Sequence, residues 1–217
     1  MPVRIVLIHA TPVAIDPILN VLQQEWPRAE PVNILDDSLS TDLESAGSLT
    51  PAITRRIVTM ARYGSDIGAA AVLFTCSAFG RAIDAAKKAV SIPVLKPNEA
   101  MFEDALLAGN RLGLLATFGP SVPSMETEFD DLVRRRDSTA VMKSLLVPDA
   151  MADLVKGDSQ SHNRLLAEAA PQLAECDAIM LAHFSTSRAL TDVQRAVACQ
   201  VLTSPHSAVA KLKKMID

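Results

Sequence analysis

Short apolar runs alternate along the chain with longer segments in which apolar residues recur every three or four positions. The runs are rich in Val, Ile and Leu, and polar residues, Gly or Pro interrupt them. Such runs are typical of buried parallel strands, and the longer segments are typical of amphipathic helices. We predict strands over residues 3–8, 31–35, 71–74, 92–95, 112–116, 141–147, 177–182 and 201–202.

The helical segments fill the intervals between these strands. We predict helices over residues 15–26, 51–63, 80–90, 99–108, 122–136, 148–155, 163–175, 187–200 and 205–216. Residues 36–48 are polar and lack a strong period, so we interpret them as a loop over the sheet. Strands that alternate with helices indicate an α/β protein with parallel sheets.

One stretch of this pattern occurs twice. Residues 71–82 and 179–189 share a strand, a polar turn and a following Arg-Ala pair. A single shift of 107 residues (188 minus 81) relates Arg81-Ala82 to Arg188-Ala189, Arg4 to Arg111, and Val94-Leu95 to Val201-Leu202. We interpret the chain as two copies of one α/β unit, duplicated and diverged. At this shift Cys76 corresponds to His183.

The duplication predicts the domain organisation. We expect two pseudo-symmetric Rossmann-like (flavodoxin-like) domains, each with a parallel sheet. The first comprises residues 1–98 with residues 205–217, and the second comprises residues 99–204. The active-site cleft is expected between them.

Composition narrows the possible partners. A formal net charge of −4 and a sequence pI near 5.6 argue against polyanionic partners, and six Phe, one Trp and one Tyr are too few for a base-stacking surface. The three cysteines, Cys76, Cys176 and Cys199, lack CxxC spacing and fit a reducing compartment. We find no signal-peptide pattern and no apolar run near the ~20 residues of a membrane span. We therefore expect a cytoplasmic protein that binds neither nucleic acid nor membrane.

The common cofactor and hydrolase motifs are missing from the sequence. It contains no GxGxxG after the first strand, no GxxxxGK[ST] and no GxSxG. Cys76, His183 and His206 are too scattered along the chain to predict a zinc site. We therefore expect neither a cofactor nor a metal.

Cys76 lies where α/β proteins place functional residues, directly after a predicted strand and before a helix that begins near Gly80. Such sheets bind ligands at the carboxyl ends of their strands, and a helix N-terminus lowers a thiol pKa and holds anions. If the two halves face each other, Cys76 and His183 flank a bound ligand. Both titrate within reach of neutral pH, as general acid/base catalysis requires. Two proton carriers on opposite faces of one carbon are what a racemase needs.

Several stretches give the chain a resemblance to a known family. They are Phe74-Thr-Cys-Ser77, Ile92-Pro-Val-Leu95, Glu99-Ala-Met101, Leu115-Ala-Thr-Phe-Gly-Pro-Ser-Val122 and Leu181-Ala-His-Phe-Ser185. In this order, and with the duplication, the chain resembles the Asp/Glu/hydantoin racemase superfamily over nearly its whole length. Glutamate racemase, maleate isomerase and arylmalonate decarboxylase are among its relatives. The resemblance implies cofactor-free chemistry on a small carboxylic acid, with one cysteine from each half.

The resemblance also implies roles for individual residues. Cys76 matches the first-half cysteine of the family. The substrate carboxylate is expected on hydroxyls and backbone amides, with candidates at Thr75, Ser77, Thr117 and Ser121. To these we add His9, Thr11 and Ser185, which lie at or just after the predicted strand ends, as candidate substrate-binding residues. The hydroxyl residues have an alternative role as helix caps or turn formers, and His9 as a packing residue.

His183 stands where the second cysteine of the family is expected, so a two-thiol mechanism does not apply unchanged. Three interpretations stay open. His183 replaces the thiol in a Cys/His racemase or epimerase; Cys76 alone protonates one face of an enediolate; or Cys76 is a nucleophile assisted by His183 in an isomerase. An inert, packed Cys76 and a His183 that fills space after the loss of catalysis are the plainer alternatives.

We predict a cofactor-independent racemase or isomerase that transfers protons at the α-carbon of a small, amino-acid-like carboxylic acid. Cys76 and His183 are its expected acid/base groups. Two alternatives remain, a non-catalytic protein that binds small acids and a lyase that resembles arylmalonate decarboxylase. The lyase requires an apolar pocket, for which the candidates are Phe74, Phe79, Phe118 and Phe184. Because relatives are commonly dimers, we expect a homodimer or a higher homo-oligomer.

Overall fold

The chain folds into two units, and the computed structural model describes residues 2–217. One unit comprises Met1–Glu99 and Ala208–Asp217, and the other comprises Ala100–Ser207. Each unit of the described chain contains a four-stranded sheet whose strands are all parallel. The predicted α/β fold with two parallel sheets is therefore confirmed.

The sheet of the first unit has the strand order β2-β1-β3-β4. Its strands are β1 (Val3–His9), β2 (Ala29–Leu35), β3 (Ala71–Phe74) and β4 (Val94–Leu95). The helices between them are α1 (Ile15–Glu25), α2 (Ser38–Ala46), α3 (Pro51–Asp66) and α4 (Gly80–Ala89). All four residues of β3 are buried, as expected for a short apolar strand inside a parallel sheet.

The sheet of the second unit has the matching order β6-β5-β7-β8. Its strands are β5 (Arg111–Ala116), β6 (Val141–Leu146), β7 (Ala178–Leu181) and β8 (Gln200–Thr203). The remaining helices are α5 (Glu99–Ala108), α6 (Val122–Arg135), α7 (Pro148–Val155), α8 (Ser159–Ala169), α9 (Leu190–Ala196) and α10 (Ser204–Ile216). The last helix begins in the second unit, and its residues from Ala208 onward belong to the first.

The two sheets repeat each other residue by residue. The matching pairs are Ile5–Ala71 with Leu112–Ala178, and Val72–Val94 with Ile179–Val201. Each pair of the second sheet lies 107 positions after its counterpart (112 minus 5, 179 minus 72). The strand register therefore supports the duplication that the sequence predicted.

Helix α2 corrects one prediction, because residues 36–48 were expected to form a loop. Leu39 on α2 is only 1% exposed and packs into the apolar core of the first unit. Arg56 on α3 donates from Nε to Asp36 at 2.9 Å and also contacts Asp42. The helix ends at Ala46 and is followed by Gly47, whose left-handed φ of 66° suits a C-terminal cap. These contacts come from distant parts of the chain, so local periodicity did not reveal the helix.

Two helices of the second unit are shorter than predicted. The helix expected over residues 163–175 is α8, which ends at Ala169 and continues as a 3₁₀ turn over Ala170–Leu173. Pro171 lies in that turn, and its missing N–H prevents a regular α-helix from continuing. The helix expected over residues 187–200 is α9, which follows a 3₁₀ turn over Ser185–Ala189. Most other element ends lie within a few residues of their predicted positions.

One predicted helix start is confirmed in detail. Thr50 caps α3, because its side-chain oxygen accepts a hydrogen bond from the Ile53 backbone N–H at 3.2 Å, and Pro51 follows at the first helical position. Among the described helices, none is both long and apolar enough to cross a membrane.

Candidate active site

Cys76 lies two residues beyond the end of β3. Its backbone is extended (φ −117°, ψ 124°) and leads into a 3₁₀ turn over Ser77–Phe79, after which α4 begins at Gly80. The side chain is partly buried. Burial raises the pKa of the thiol above its ordinary value, and a hydrogen bond from the Ala78 backbone N–H partly opposes this rise. At neutral pH Cys76 is therefore a protonated thiol that is able to donate a proton.

This pKa differs from the sequence-based expectation. A helix N-terminus was expected to lower the pKa of Cys76. The Ala78 N–H does act in that direction, but the loss of solvent around the sulfur is the larger effect. The difference changes the chemistry, because the resting residue is an acid and not a thiolate.

His9 ends β1 and is fully buried. Its Nδ1 lies 2.9 Å from the Thr75 hydroxyl oxygen, and its Nε2 lies 3.0 Å from Oδ1 of Asn33. Burial lowers the pKa of His9, and the bond to Asn33 opposes that change. The imidazole is therefore neutral at neutral pH. The hydroxyl oxygen of Thr75, which directly precedes Cys76, lies 3.3 Å from the Ile8 carbonyl oxygen.

His183 lies two residues beyond the end of β7 and adopts a left-handed backbone conformation with φ of 71°. Such a conformation is uncommon outside Gly, although Asn, Asp and His adopt it more often than other residues, and strained backbones cluster at functional sites. Burial lowers the pKa of His183 from 6.5 to about 4, so its imidazole is neutral at neutral pH. A neutral imidazole is able to accept a proton.

Two residues of the second unit contact the His183 ring. Nε2 lies 3.4 Å from the Ser121 hydroxyl oxygen, and the Phe118 ring approaches edge-on with centroids 6.5 Å apart. The Ser121 hydroxyl also donates to the Phe118 carbonyl oxygen at 2.9 Å. The structure thus brings together Ser121 and His183, both predicted from the sequence, within one unit.

Thr117 directly follows β5 and is 2% exposed. Its hydroxyl has no hydrogen-bond partner among the described residues. An unsatisfied buried hydroxyl is unfavourable by about 1–3 kcal/mol, so such groups are uncommon unless they serve a ligand or a water. Thr117 is therefore the predicted carboxylate ligand with an available donor.

The other predicted binding residues have less distinctive surroundings. Ser77 is buried at the first position of the 3₁₀ turn after Cys76, and Ser185 is buried at the start of the turn after His183. Thr11 is half-buried in the segment after β1 and precedes a 3₁₀ turn over Pro12–Ala14, which its side chain does not cap.

The four phenylalanines proposed for a lyase pocket do not share one environment. Phe74 and Phe79 belong to the apolar core of the first unit, and Phe184 is almost fully buried. Phe118 is 45% exposed. Of these four rings, one is therefore open to a ligand, beside His183.

Two polar residues of the candidate site were missed from the sequence. Asn33 holds His9 from the neighbouring strand, where Leu7 pairs with Asn33 in the parallel register. The Thr186 hydroxyl, which has one proton to donate, lies within hydrogen-bond reach of the carbonyl oxygens of Ala182 and His183, the latter at 2.8 Å. A polar residue in the apolar strand β2 was a usable signal for Asn33. Nothing distinguished Thr186 from its neighbouring serines.

A metal centre has no support in the described part of the chain. Within residues 2–217, no group of three or more His, Cys, Asp or Glu side chains is placed to hold a metal ion.

Comparison with known proteins supports the class that the fold and the two turns suggest. The profile of the Asp/Glu/Hydantoin racemase family matches residues 18–135, more than half of the 217-residue chain. The protein therefore belongs to the Asp/Glu/hydantoin racemase family, and the resemblance predicted from the sequence is confirmed. Among curated proteins, none matches the chain.

Several solved structures share the fold over nearly the whole chain. Aspartate racemase from Picrophilus torridus is 16% identical with a TM-score of 0.75, covering 99% of this chain and 94% of its own. Allantoin racemase from Klebsiella pneumoniae is 14% identical with a TM-score of 0.74, covering 99% and 87%. An arylmalonate decarboxylase is 16% identical with a TM-score of 0.69, covering 99% and 92%. At these identities the likeness shows a shared fold.

Proposed function

We propose that this protein is a cofactor-independent racemase or isomerase that transfers a proton at the α-carbon of a small, amino-acid-like carboxylic acid. Cys76 and His183 are the two acid/base groups. The observation that carries the proposal is their equivalence: each lies two residues beyond a matching strand, β3 or β7, in registers related by 107 positions. Membership of a racemase family supports the reaction class.

The protonation states of the two groups give them complementary roles. Cys76 rests as a thiol because burial raises its pKa, and His183 rests as a neutral imidazole because burial lowers its pKa to about 4. In the forward direction His183 removes the α-proton, and Cys76 then gives its proton to the opposite face of the carbanion. The products are an imidazolium and a thiolate, which catalyse the reverse reaction or exchange with solvent.

Thr117 is the group best suited to hold the substrate carboxylate. Its buried hydroxyl has no partner in the described residues, so it is free to donate to an anion. The Thr75 hydroxyl has a single proton, and both of its near acceptors, His9 Nδ1 and the Ile8 carbonyl, belong to the protein. Of the predicted carboxylate ligands, Thr117 therefore needs the least rearrangement.

The experiment that tests the proposal is exchange of the α-proton in D₂O, followed by NMR on a panel of short-chain amino acids and related 2-substituted acids. We expect at least one acid to exchange with the wild-type protein. Cys76→Ala should abolish interconversion of the two enantiomers and slow exchange of the one whose α-proton faces Cys76, and Cys199→Ala, which removes a thiol in the second unit, should retain both activities.

Three outcomes would contradict the proposal. If Cys76→Ala exchanged the α-proton of both enantiomers of every active substrate at the wild-type rate, Cys76 would be excluded as an acid/base group. Release of CO₂ from a disubstituted malonate, without exchange on any monoacid, would identify a lyase. If carboxylates protect Cys76 from an alkylating reagent and no acid exchanges its α-proton, the protein would be a binding protein.

A further inference from the structure

A buried line of hydrogen bonds ends at the residue before Cys76. It runs from Asn33 on β2 through His9 on β1 to Thr75, with heavy-atom distances of 3.0 and 2.9 Å. His9 is 0% exposed and Thr75 is 4% exposed. Both ring nitrogens of His9 are therefore occupied by the protein, and neither remains for a substrate.

The direction of these bonds follows from the chemistry of the groups. The Asn33 Oδ1 is an acceptor, so Nε2 of the neutral His9 ring carries the proton and Nδ1 is bare. The bare Nδ1 accepts the hydroxyl proton of Thr75 at 2.9 Å, a shorter contact than the 3.3 Å to the Ile8 carbonyl. Thr75 is thus attached to β1 by its side chain as well as by its backbone, whose N–H donates to Ile8 at 3.0 Å.

The second unit shows that the fold does not need the side-chain part of this arrangement. The equivalent backbone bond is present, from the Ala182 N–H to the Leu115 carbonyl at 2.9 Å. The residues equivalent to His9 and Thr75 by the 107-residue shift are Ala116 and Ala182. The side-chain hydrogen bonds through His9 thus accompany the turn that carries Cys76 (the thiol turn). Alanines take their place beside the turn that carries His183 (the imidazole turn).

The backbones of the two turns differ accordingly. Cys76 is extended with φ of −117°, whereas His183 is left-handed with φ of 71°. In the extended conformation the Cys76 sulfur lies against the Ala78 backbone N–H. A left-handed conformation at Cys76 would point the side chain elsewhere.

We propose that His9 is a positioning residue, which acts through Thr75 to hold Cys76 in the extended conformation that keeps its sulfur against the Ala78 N–H. The importance of this position for turnover rests on the proposed function. The position itself does not, and it is measured without any substrate. His9, predicted from the sequence to bind substrate, thereby has an indirect role.

The test is the pH dependence of alkylation at Cys76 by iodoacetamide, resolved by mass spectrometry of the labelled peptides. Cys176 and Cys199 in the same sample are internal controls, because both lie in the second unit. We expect His9→Ala and Thr75→Ala, which copy the second unit, to move the alkylation midpoint of Cys76 upward by about one pH unit. One pKa unit is a tenfold change in thiolate fraction at a given pH. The midpoints of Cys176 and Cys199 should not move.

Conservative variants separate positioning from a general loss of structure. His9→Gln retains a donor and an acceptor, and Thr75→Ser retains the hydroxyl, so both should restore the wild-type midpoint. His162→Ala is the matched control, since His162 is another fully buried histidine with a ring nitrogen bonded to an asparagine, at 2.9 Å, but in the second unit. It should leave the midpoint of Cys76 unchanged.

An unchanged or lowered midpoint in folded Thr75→Ala would overturn the inference, and so would an equal shift in His162→Ala. Thr75→Ala is the mildest of these changes, so the test does not depend on the stability of His9→Ala. A shifted midpoint in a protein that exchanges no α-proton would leave the positioning role standing while the proposed function failed. Exchange of the α-proton without a shift of the Cys76 midpoint would leave the proposed function standing while the positioning role failed.

Discussion

The turns that carry Cys76 and His183 occupy equivalent places in two copies of one fold and share the backbone bond before them, but they differ in backbone conformation and in side-chain contacts. That bond measures 3.0 Å from Thr75 to Ile8 and 2.9 Å from Ala182 to Leu115. The thiol turn is extended and tied to a buried histidine, whereas the imidazole turn is left-handed and tied by Thr186. The sheet determines where each turn begins, and the two turns differ in their backbone conformation and in the side chains that bond to them.

The two turns also differ in the direction in which burial acts. Removal of water disfavours the charged form of any group, so it raises the pKa of a thiol and lowers the pKa of an imidazole. One physical effect therefore leaves Cys76 a protonated thiol and His183 a neutral imidazole at neutral pH, the two states that the proposed acid and base require. Two thiols in equivalent surroundings would both rest as acids, and one of them would have to lose its proton before catalysis.

The largest expected effect separates the two turns by the stereochemistry of the substrate. His183→Asn, which tolerates a left-handed backbone, should slow α-proton removal from one enantiomer by roughly 10²–10⁴-fold and affect the other much less. Cys76→Ser should show the reverse preference, because each group removes the proton that faces it. Deuterium incorporation into each pure enantiomer measures both rates. Equal losses for both enantiomers in both variants would remove the distinction between the turns.

The pH dependence of stability should separate the turns at opposite ends of the pH scale. Unfolded His183 binds a proton near pH 6.5 and folded His183 only near pH 4. As the pH is lowered from about 6.5 to about 4, the free energy of unfolding of the wild type should therefore fall relative to that of His183→Asn. A shift of this size corresponds to about 3 kcal/mol, and because His183 is only half-buried, screening by solvent reduces this to on the order of 2 kcal/mol. Urea denaturation between pH 4 and pH 7.5 measures the difference.

Cys76 should act in the alkaline range instead. Its folded pKa is raised above 9.0, so the unfolded thiol ionises first and stability falls as the pH rises beyond that value. Cys76→Ser lacks this loss, and His183→Asn retains it. A Cys76→Ser protein with the same alkaline loss as wild type would contradict a buried, protonated thiol.

Two threonines test whether the buried hydroxyls after β3 and β5 have different partners. Thr75→Val leaves His9 Nδ1 unsatisfied and should destabilise the protein by about 1–2 kcal/mol. Thr117→Val removes a buried hydroxyl that lacks a partner, so it should be neutral or stabilising by about 0.5–1 kcal/mol while it weakens binding of the carboxylate substrate. Thermal denaturation and the substrate KM give the two readouts. A Thr117→Val protein as unstable as Thr75→Val would show that Thr117 has a structural partner.

The smallest expected effect concerns the two backbones. Glycine adopts a left-handed conformation without strain, so His183→Gly should recover about 0.5–1 kcal/mol of backbone strain. The equivalent change Cys76→Gly relieves no strain, because Cys76 is extended, and it should destabilise by a similar amount. Urea denaturation at pH 7 should therefore rank His183→Gly above Cys76→Gly. The opposite ranking would argue against a strained His183.

Much of this architecture was predictable because the repeat lies in the buried apolar strands, which form the two sheets. The buried strands β1, β3, β5 and β7 are short apolar runs, and their register follows the same 107-residue shift as the sequence. Helix α2 was not predictable, because Leu39 and the Arg56 contacts stabilise it from outside its own segment.

The candidate site was predictable in its residue types and not in its geometry. Cys76 follows an apolar strand of the first sheet, and Thr117, Ser121 and His183 follow apolar strands of the second, which is a pattern in the sequence. His183 is left-handed and lies beside the Thr186 hydroxyl, a local contact that nothing in the sequence signals. The role of His9 depends on Asn33 across a strand pair, a contact that no single segment specifies.

The isotope pattern of early turnover in D₂O shows whether two different groups act on opposite faces of one carbon. With one pure enantiomer of an active substrate, the account predicts deuterium at the α-carbon of the converted enantiomer while the unconverted substrate retains its proton. The group on the product face would then deliver a deuteron that it had taken from solvent, while the group on the substrate face returns only the proton that it removed. Deuterium that enters the unconverted substrate as fast as the product would mean that one group serves both faces, and the pairing of Cys76 with His183 would be wrong.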